Sequence, residues 1–138
     1  MIVVDTSVAV KWFVPEAGTA DALNLLSRSL VAPDLLQAEL GHALTRKVRR
    51  GELLEDQARS AFANAPGLLS LLPSRPHAEL AFDLSLDLGH ATGDCYFLAL
   101  AATENLLLVT AETKFVNKLA TTSYASLVFS LGDALPRG

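Results

Sequence analysis

The chain of 138 residues has little that could cross-link it. It carries one cysteine, Cys95, so no internal disulfide can form. No grouping of cysteine and histidine has zinc-ligand spacing. Charged residues are 19% of the chain against 51% hydrophobic ones, which excludes a disordered chain, polar and highly charged. No apolar run reaches the roughly 18 residues of a membrane-spanning helix. The start, Met1-Ile2-Val3-Val4-Asp5-Thr6-Ser7, has neither the basic region nor the cleavage pattern of a secretory signal. Nor is there an aromatic platform of the kind on which single-strand binders stack bases. With no repeat, low-complexity tract or linker, the expectation is one soluble, cytoplasmic domain over residues 1–138. A chain of that length buries about two-thirds of its unfolded surface and needs no stapling.

An excess of basic charge, the usual footprint of a nucleic-acid binder, is also missing: 11 basic residues face 15 acidic ones, for a net charge of −4. If four acids were gathered at a metal, the remainder would be neutral, so local charge decides more than the total.

What is present is a succession of short apolar runs and helical patterns. Residues 1–4 read as a buried strand feeding a short helix that Pro15 ends. Ala22, Leu23, Leu26 and Leu30 carry helical spacing over 17–29, and Leu30-Val31-Ala32 reads as a second strand. Asp34 with Gln37 has the form of a capping box opening a helix that runs to about Arg50. Further helices are expected over Glu55–Ala65, His77–Leu88, Asp94–Glu104 and Lys114–Ala120, with strands at Leu68–Leu72, Leu106–Val109 and Ser126–Phe129. Apolar strands alternating with helices predict an α/β fold, a three-layer α/β/α sandwich around a short parallel sheet. In such sheets the ligand crevice lies beyond the carboxyl ends of the strands, where strand order reverses.

Four acids stand out against that frame. Asp5 follows the first strand directly, where it also suits a helix N-cap. Glu39 lies at the edge of the stripe formed by Leu36, Leu40, Ala43 and Leu44, and taken alone reads as a boundary glutamate that extends into water. Asp94 shares a helical face with Phe97, Leu98 and Ala101. A carboxylate there needs a partner or a metal, the first helical turn favours an anion, and no basic residue is near it in sequence. Glu112 follows the Leu106–Val109 strand and could also be a solvated first-turn residue. Clustered carboxylates repel unless a cation neutralises them. Oxygen ligands without cysteine or histidine select hard cations such as Mg²⁺ or Mn²⁺, which suit phosphodiester hydrolysis. His42, His77 and His90 sit in no nucleophile motif.

The segment Val4-Asp5-Thr6-Ser7-Val8-Ala9-Val10-Lys11-Trp12-Phe13 with Glu16 resembles the opening of a PIN-domain protein of the VapC toxin class. Ala32-Pro33-Asp34-Leu35-Leu36-Gln37-Ala38-Glu39 with Ala43-Leu44 is similar to the second motif of that family, and Gly93-Asp94-Cys95-Tyr96-Phe97-Leu98-Ala99-Leu100-Ala101 to the third. Leu108-Val109-Thr110-Ala111-Glu112 with Phe115 resembles the fourth. The resemblance implies a compact domain that cleaves RNA with Mg²⁺ or Mn²⁺, is dimeric, and is held inactive by a cognate antitoxin. It implies metal ligation by Asp5, Glu39 and Asp94, with Glu112 at the fourth acidic position, directly or through water, and hydroxyls from Thr6 and Thr110 lining the site. Three positions depart from the pattern: Glu112 replaces an aspartate, His42 an asparagine, and Gly93 a tyrosine.

Rival readings have their own signatures. A haloacid-dehalogenase-like phosphatase would need an aspartate where Ser7 stands, and a response-regulator receiver an acidic pair after the first strand. A catalytically inactive PIN fold acting as a partner-binding module is the alternative from another class. On the substrate side, Arg46 and Arg50 follow Glu39 by seven and eleven residues along one helical edge, a reach of roughly 16 Å at 1.5 Å per residue. That suits RNA phosphates, which position the strand without reading its sequence. Trp12, Phe13, Leu23, Leu26 and Leu30 either fill the core or form a partner surface, shared by a homodimer and an antitoxin segment whose basic side chain could enter the acidic site.

Overall fold

The computed structural model describes residues 1–136. In chain order its elements are β1 (Ile2–Val4), α1 (Thr6–Ala9), α2 (Thr19–Asn24), β2 (Leu30–Pro33), α3 (Leu35–Arg49), α4 (Glu55–Asn64), β3 (Ser70–Leu72), α5 (Ala78–Leu88), α6 (Thr92–Glu104), β4 (Leu107–Thr110), α7 (Thr113–Leu119) and β5 (Val128–Ser130), joined in places by short 3-10 turns. The five strands form one sheet in the order β3-β2-β1-β4-β5. Every pairing is parallel, with Ile2 opposite Leu30 on one side and Leu107 on the other. This is the α/β architecture expected from the alternating pattern. Among the described residues no helix is long and apolar enough to cross a membrane.

Ile2, Val3 and Val4 are all buried. A strand with no polar face must be covered on both sides. Helix α6 lies against β1, β2 and β4, and α5 packs on α6, which is why α6 is apolar nearly all round, with Phe97, Leu98, Leu100 and Ala101 fully buried. Helix α3 packs on β2 and α1, and α4 on α3. The order of the strands reverses between β1 and β4, so the chain leaves the sheet at that point in opposite directions and opens a crevice there.

Several local expectations differ from the structure. The helix expected over 17–29 is shorter: Gly18, at φ 88°, leads into Thr19–Asn24, and a 3-10 turn over Leu25–Ser27 ends in extended Arg28. Ala22 and Leu25 face the core, while Leu23 is exposed. Asp34 does not cap α3 with its side chain, because its backbone is already helical at φ −65°, ψ −14°. Its carboxylate instead accepts from the backbone N–H and hydroxyl of Ser74, at 3.1 and 2.6 Å, and the Ser74 oxygen accepts from Leu35 N–H at 2.8 Å. The cap is thus supplied from forty residues away. Trp12 and Leu30, for which core and partner surface both stand open in the sequence, belong to the core. Trp12 is 8% exposed and donates its indole N–H to the Ala22 carbonyl at 2.9 Å, and Leu30 is an interior residue of β2. Phe13 and Leu26 are half-buried.

Candidate active site

Asp5 is held where β1 hands over to α1. Its backbone is extended, at φ −94°, ψ 178°, and its side chain is almost wholly buried. The carboxylate accepts from Val8 N–H at 3.3 Å and from the Ser7 hydroxyl. Capping α1 and facing the crevice are therefore one placement. The Ser7 oxygen also accepts from Ala111 N–H at 2.9 Å and stands 3.4 Å from Thr110 Oγ1, tying the end of β1 to the end of β4. Burial pushes the Asp5 carboxyl up to about 6; the Ser7 and Thr110 hydroxyls and Val8 N–H pull it back, and the Glu112 charge adds to the rise.

Glu39 leans over from α3, whose buried stripe is Leu36, Leu40 and Leu44. Thr6 donates its hydroxyl to Glu39 Oε1 at 2.7 Å, which orients the carboxylate. Burial, opposed by that hydrogen bond, raises the Glu39 carboxyl above its ordinary value. Glu112 occupies the N-cap position of α7, with extended backbone, and its N–H donates to Thr110 Oγ1 at 3.1 Å. Its side chain is the most open of the four, at 43% exposure.

Asp94 lies in the first turn of α6, which begins two residues earlier than the sequence pattern suggests, at Thr92. Burial pushes its carboxyl far above the carboxylate range, and hydrogen bonding and repulsion from Glu112, then the charges of Asp5 and Glu39, push it further. His90 Nε2 stands 2.7 Å from Asp94 Oδ2 and 3.8 Å from Glu112 Oε2. The imidazole stacks on Phe115, with ring centroids 4.4 Å apart and planes 22° apart. Burial and the Lys118 charge lower the His90 pKa, against the pull of Glu112.

The four acids line one open cavity of about 470 Å³, together with Thr6 and Ser7, with His42 and Arg46 on the α3 side. Thr110 is fully buried beneath it. Arg50 lies outside it, at the exposed C-cap of α3. Lys47, in the same basic cluster, is taken up by ion pairs with Glu16 at 3.1 Å and Glu52 at 3.7 Å. The residues 2–118 match the PIN domain.

The chain belongs to the PIN-domain family.

It is 34% identical over 116 residues to Ribonuclease VapC1 of Mycobacterium tuberculosis strain CDC 1551 / Oshkosh, a match covering 81% of this chain and 86% of that protein. The same figures hold for Ribonuclease VapC1 of strain ATCC 25618 / H37Rv. Within the family this PIN domain is thus of the VapC type.

The donor set of the PIN domain fits a divalent cation. Four carboxylates face one cavity, and among the described residues no lysine or arginine forms an ion pair with any of them. Burial first, and the charges of neighbouring acids after it, raise the Asp5 and Asp94 carboxyls, and a bound cation relieves the repulsion part of that cost. Sequence reasoning missed two members of the site. Ser7 had a signal, a hydroxyl two residues after the strand-end aspartate. His90 had one as well, its place four residues before Asp94, although it stands ahead of the helix, whose N-cap is Ala91. Its presence also corrects the expectation that the acids converge without histidine.

Proposed function

We propose that this PIN domain is a metal-dependent endoribonuclease and the toxin of a toxin–antitoxin pair, working in the cytoplasm as a homodimer. The observation that carries this reading is the convergence of Asp5, Glu39, Asp94 and Glu112 on one cavity at the switch point of the sheet. The name of its relatives, Ribonuclease VapC1, supports RNA as the substrate, and the likeness to the VapC class is what favours an antitoxin as the partner.

Asp5, Glu39 and Asp94 would hold Mg²⁺ or Mn²⁺, with Glu112 as a fourth ligand, directly or through water. The cation, when bound, supplies a polarised water and charge stabilisation at the scissile phosphate. The chain supplies the positioning. Ser7, stitched to Thr110 and Ala111, aims Asp5. Thr6 aims Glu39. Arg46 on the cavity rim, and Arg50 one turn further along α3, would hold phosphates on one side of the cut. An antitoxin segment bearing arginine or lysine would occupy the acidic cavity in place of the cation. A labelled single-stranded RNA incubated with the protein and Mn²⁺ or Mg²⁺ tests the reading. Cleavage is expected with either ion, and is lost with chelator or with Asp5→Asn. Intact RNA under all conditions would leave the PIN fold as a partner-binding module.

A further inference from the structure

We propose that His90 Nε2 is a metal ligand of this site, completing a mixed nitrogen–oxygen donor set with Asp94 and Glu112 that favours a first-row transition ion over Mg²⁺. The proposal rests on the reading that the four acids hold a divalent cation. It adds a ligand that an all-carboxylate site does not have.

Geometry supports it first. One nitrogen of His90, one oxygen of Asp94 and one of Glu112 all lie within 4.8 Å of one another. At bond lengths of about 2.1 Å, ligands at right angles on one ion stand about 3 Å apart and opposed ligands about 4.2 Å. The 2.7 Å from His90 Nε2 to Asp94 Oδ2 is close to the right-angle spacing. The 3.8 Å to Glu112 Oε2 lies between the two spacings, on the most open side chain of the four.

The imidazole is also held ready. Phe115 stacks on its face. The Ser85 hydroxyl donates to the His90 carbonyl and accepts from the Thr92 hydroxyl at 3.0 Å, and Lys118 Nζ donates to the neighbouring Gly89 carbonyl at 2.6 Å. A ring packed on one face, on a backbone tied down by hydrogen bonds, presents its nitrogen at reduced entropic cost. Imidazole nitrogen is a poor partner for Mg²⁺ and a good one for first-row transition ions. The rival role for the same contact is a hydrogen bond that only orients Asp94.

Electron spin-echo spectroscopy on Mn²⁺ added to the full-length protein separates the two roles, because directly bound imidazole nitrogen modulates the echo. The modulation is expected in the wild-type protein and absent in His90→Gln, whose amide still hydrogen-bonds to Asp94. Calorimetry should show Mn²⁺ affinity falling by about tenfold or more in that variant, with Mg²⁺ affinity changed less than about threefold. Mn²⁺ bound without nitrogen modulation overturns the His90 assignment while the carboxylate site stands. No Mn²⁺ binding by the wild-type protein overturns both. If His90→Gln does not fold, as thermal unfolding would show, the wild-type echo alone decides.

Discussion

Gly93 and Glu39 are in direct contact where α3 meets the start of α6: a Cβ at position 93 would stand 2.6 Å from Glu39 Oε2. The bare Cα of Gly93 is what allows the glutamate to settle against α6 while Thr6 holds its other oxygen. Because the clash is with the free end of a flexible side chain, Gly93→Ala should move the carboxylate rather than the backbone. Alanine is also the better helix former, by up to about 1 kcal/mol. The expected result is a thermal midpoint held or raised, a broken Thr6–Glu39 hydrogen bond in the variant structure, and Mn²⁺ affinity lowered by about tenfold. Unchanged affinity would show that Glu39 does not hold the ion from this position.

Metal-free protein should lose stability as pH rises from 5 to 8. The Asp5 carboxyl is pushed up to about 6, and Asp94 is raised as well. Both bind their protons more tightly folded than unfolded. Between the ordinary carboxylate value and the raised one, the folded state holds more protons, so stability falls with rising pH. For Asp5 the full penalty is on the order of 3 kcal/mol, reached once pH passes its raised value. Thermal melts in chelator across that range should show the fall, and Mn²⁺ at pH 8 should reverse it. Asp94→Asn should flatten the profile while abolishing most cation binding. A profile that rises with pH would mean the acids are compensated by something other than a cation.

The parts of this molecule legible in the sequence are those where one local signal coincides with one structural cause. Val3-Val4-Asp5 and Leu108-Val109-Thr110 read as strands running into polar turns because a strand covered on both faces has no polar residue to spare. The acids at those turns then fall at the crevice from the sequence pattern. The illegible parts depend on the distant chain. Asp34 looked like a local cap, yet Ser74 satisfies it and the helix start together. His90 stands four residues before Asp94 but ahead of the helix start, so nothing local says that its ring folds onto the carboxylate. Trp12 stood next to Phe13 in an apolar run, and nothing local says that its indole folds inward onto Ala22.

That inward placement has a direct consequence. Trp12 is packed in the core with its N–H bonded, and its ring meets Phe13 edge-on at 6.3 Å. Trp12→Ala should therefore cost about 3–5 kcal/mol of stability. Denaturant melts should show the loss, and light scattering should show an unchanged mass for the variant that remains folded. A change of mass with full stability would place Trp12 in an interface instead.

Arg46 and Arg50 divide the basic end of α3 between the cavity and the solvent. Arg46 lines the cavity four residues beyond His42, whereas Arg50 caps the helix outside it, and Lys47 between them is held by Glu16 and Glu52. A cation near the scissile phosphate should contribute to binding of every RNA, since phosphate contacts carry no sequence information. Arg46→Ala should weaken binding uniformly across RNA sequences and reduce the salt dependence by roughly one phosphate contact, with a slope change of about 0.7 for a single strand. Arg50→Ala should have a smaller effect in the same direction. Neither substitution should change Mn²⁺ affinity by more than about twofold, because neither side chain forms an ion pair with the four acids and exposed charges are screened by salt. Fluorescence anisotropy with several RNA sequences at a series of salt concentrations measures all of these. An Arg46→Ala variant that keeps its salt slope but shifts its preferred cleavage sequence would make Arg46 a base-reading residue.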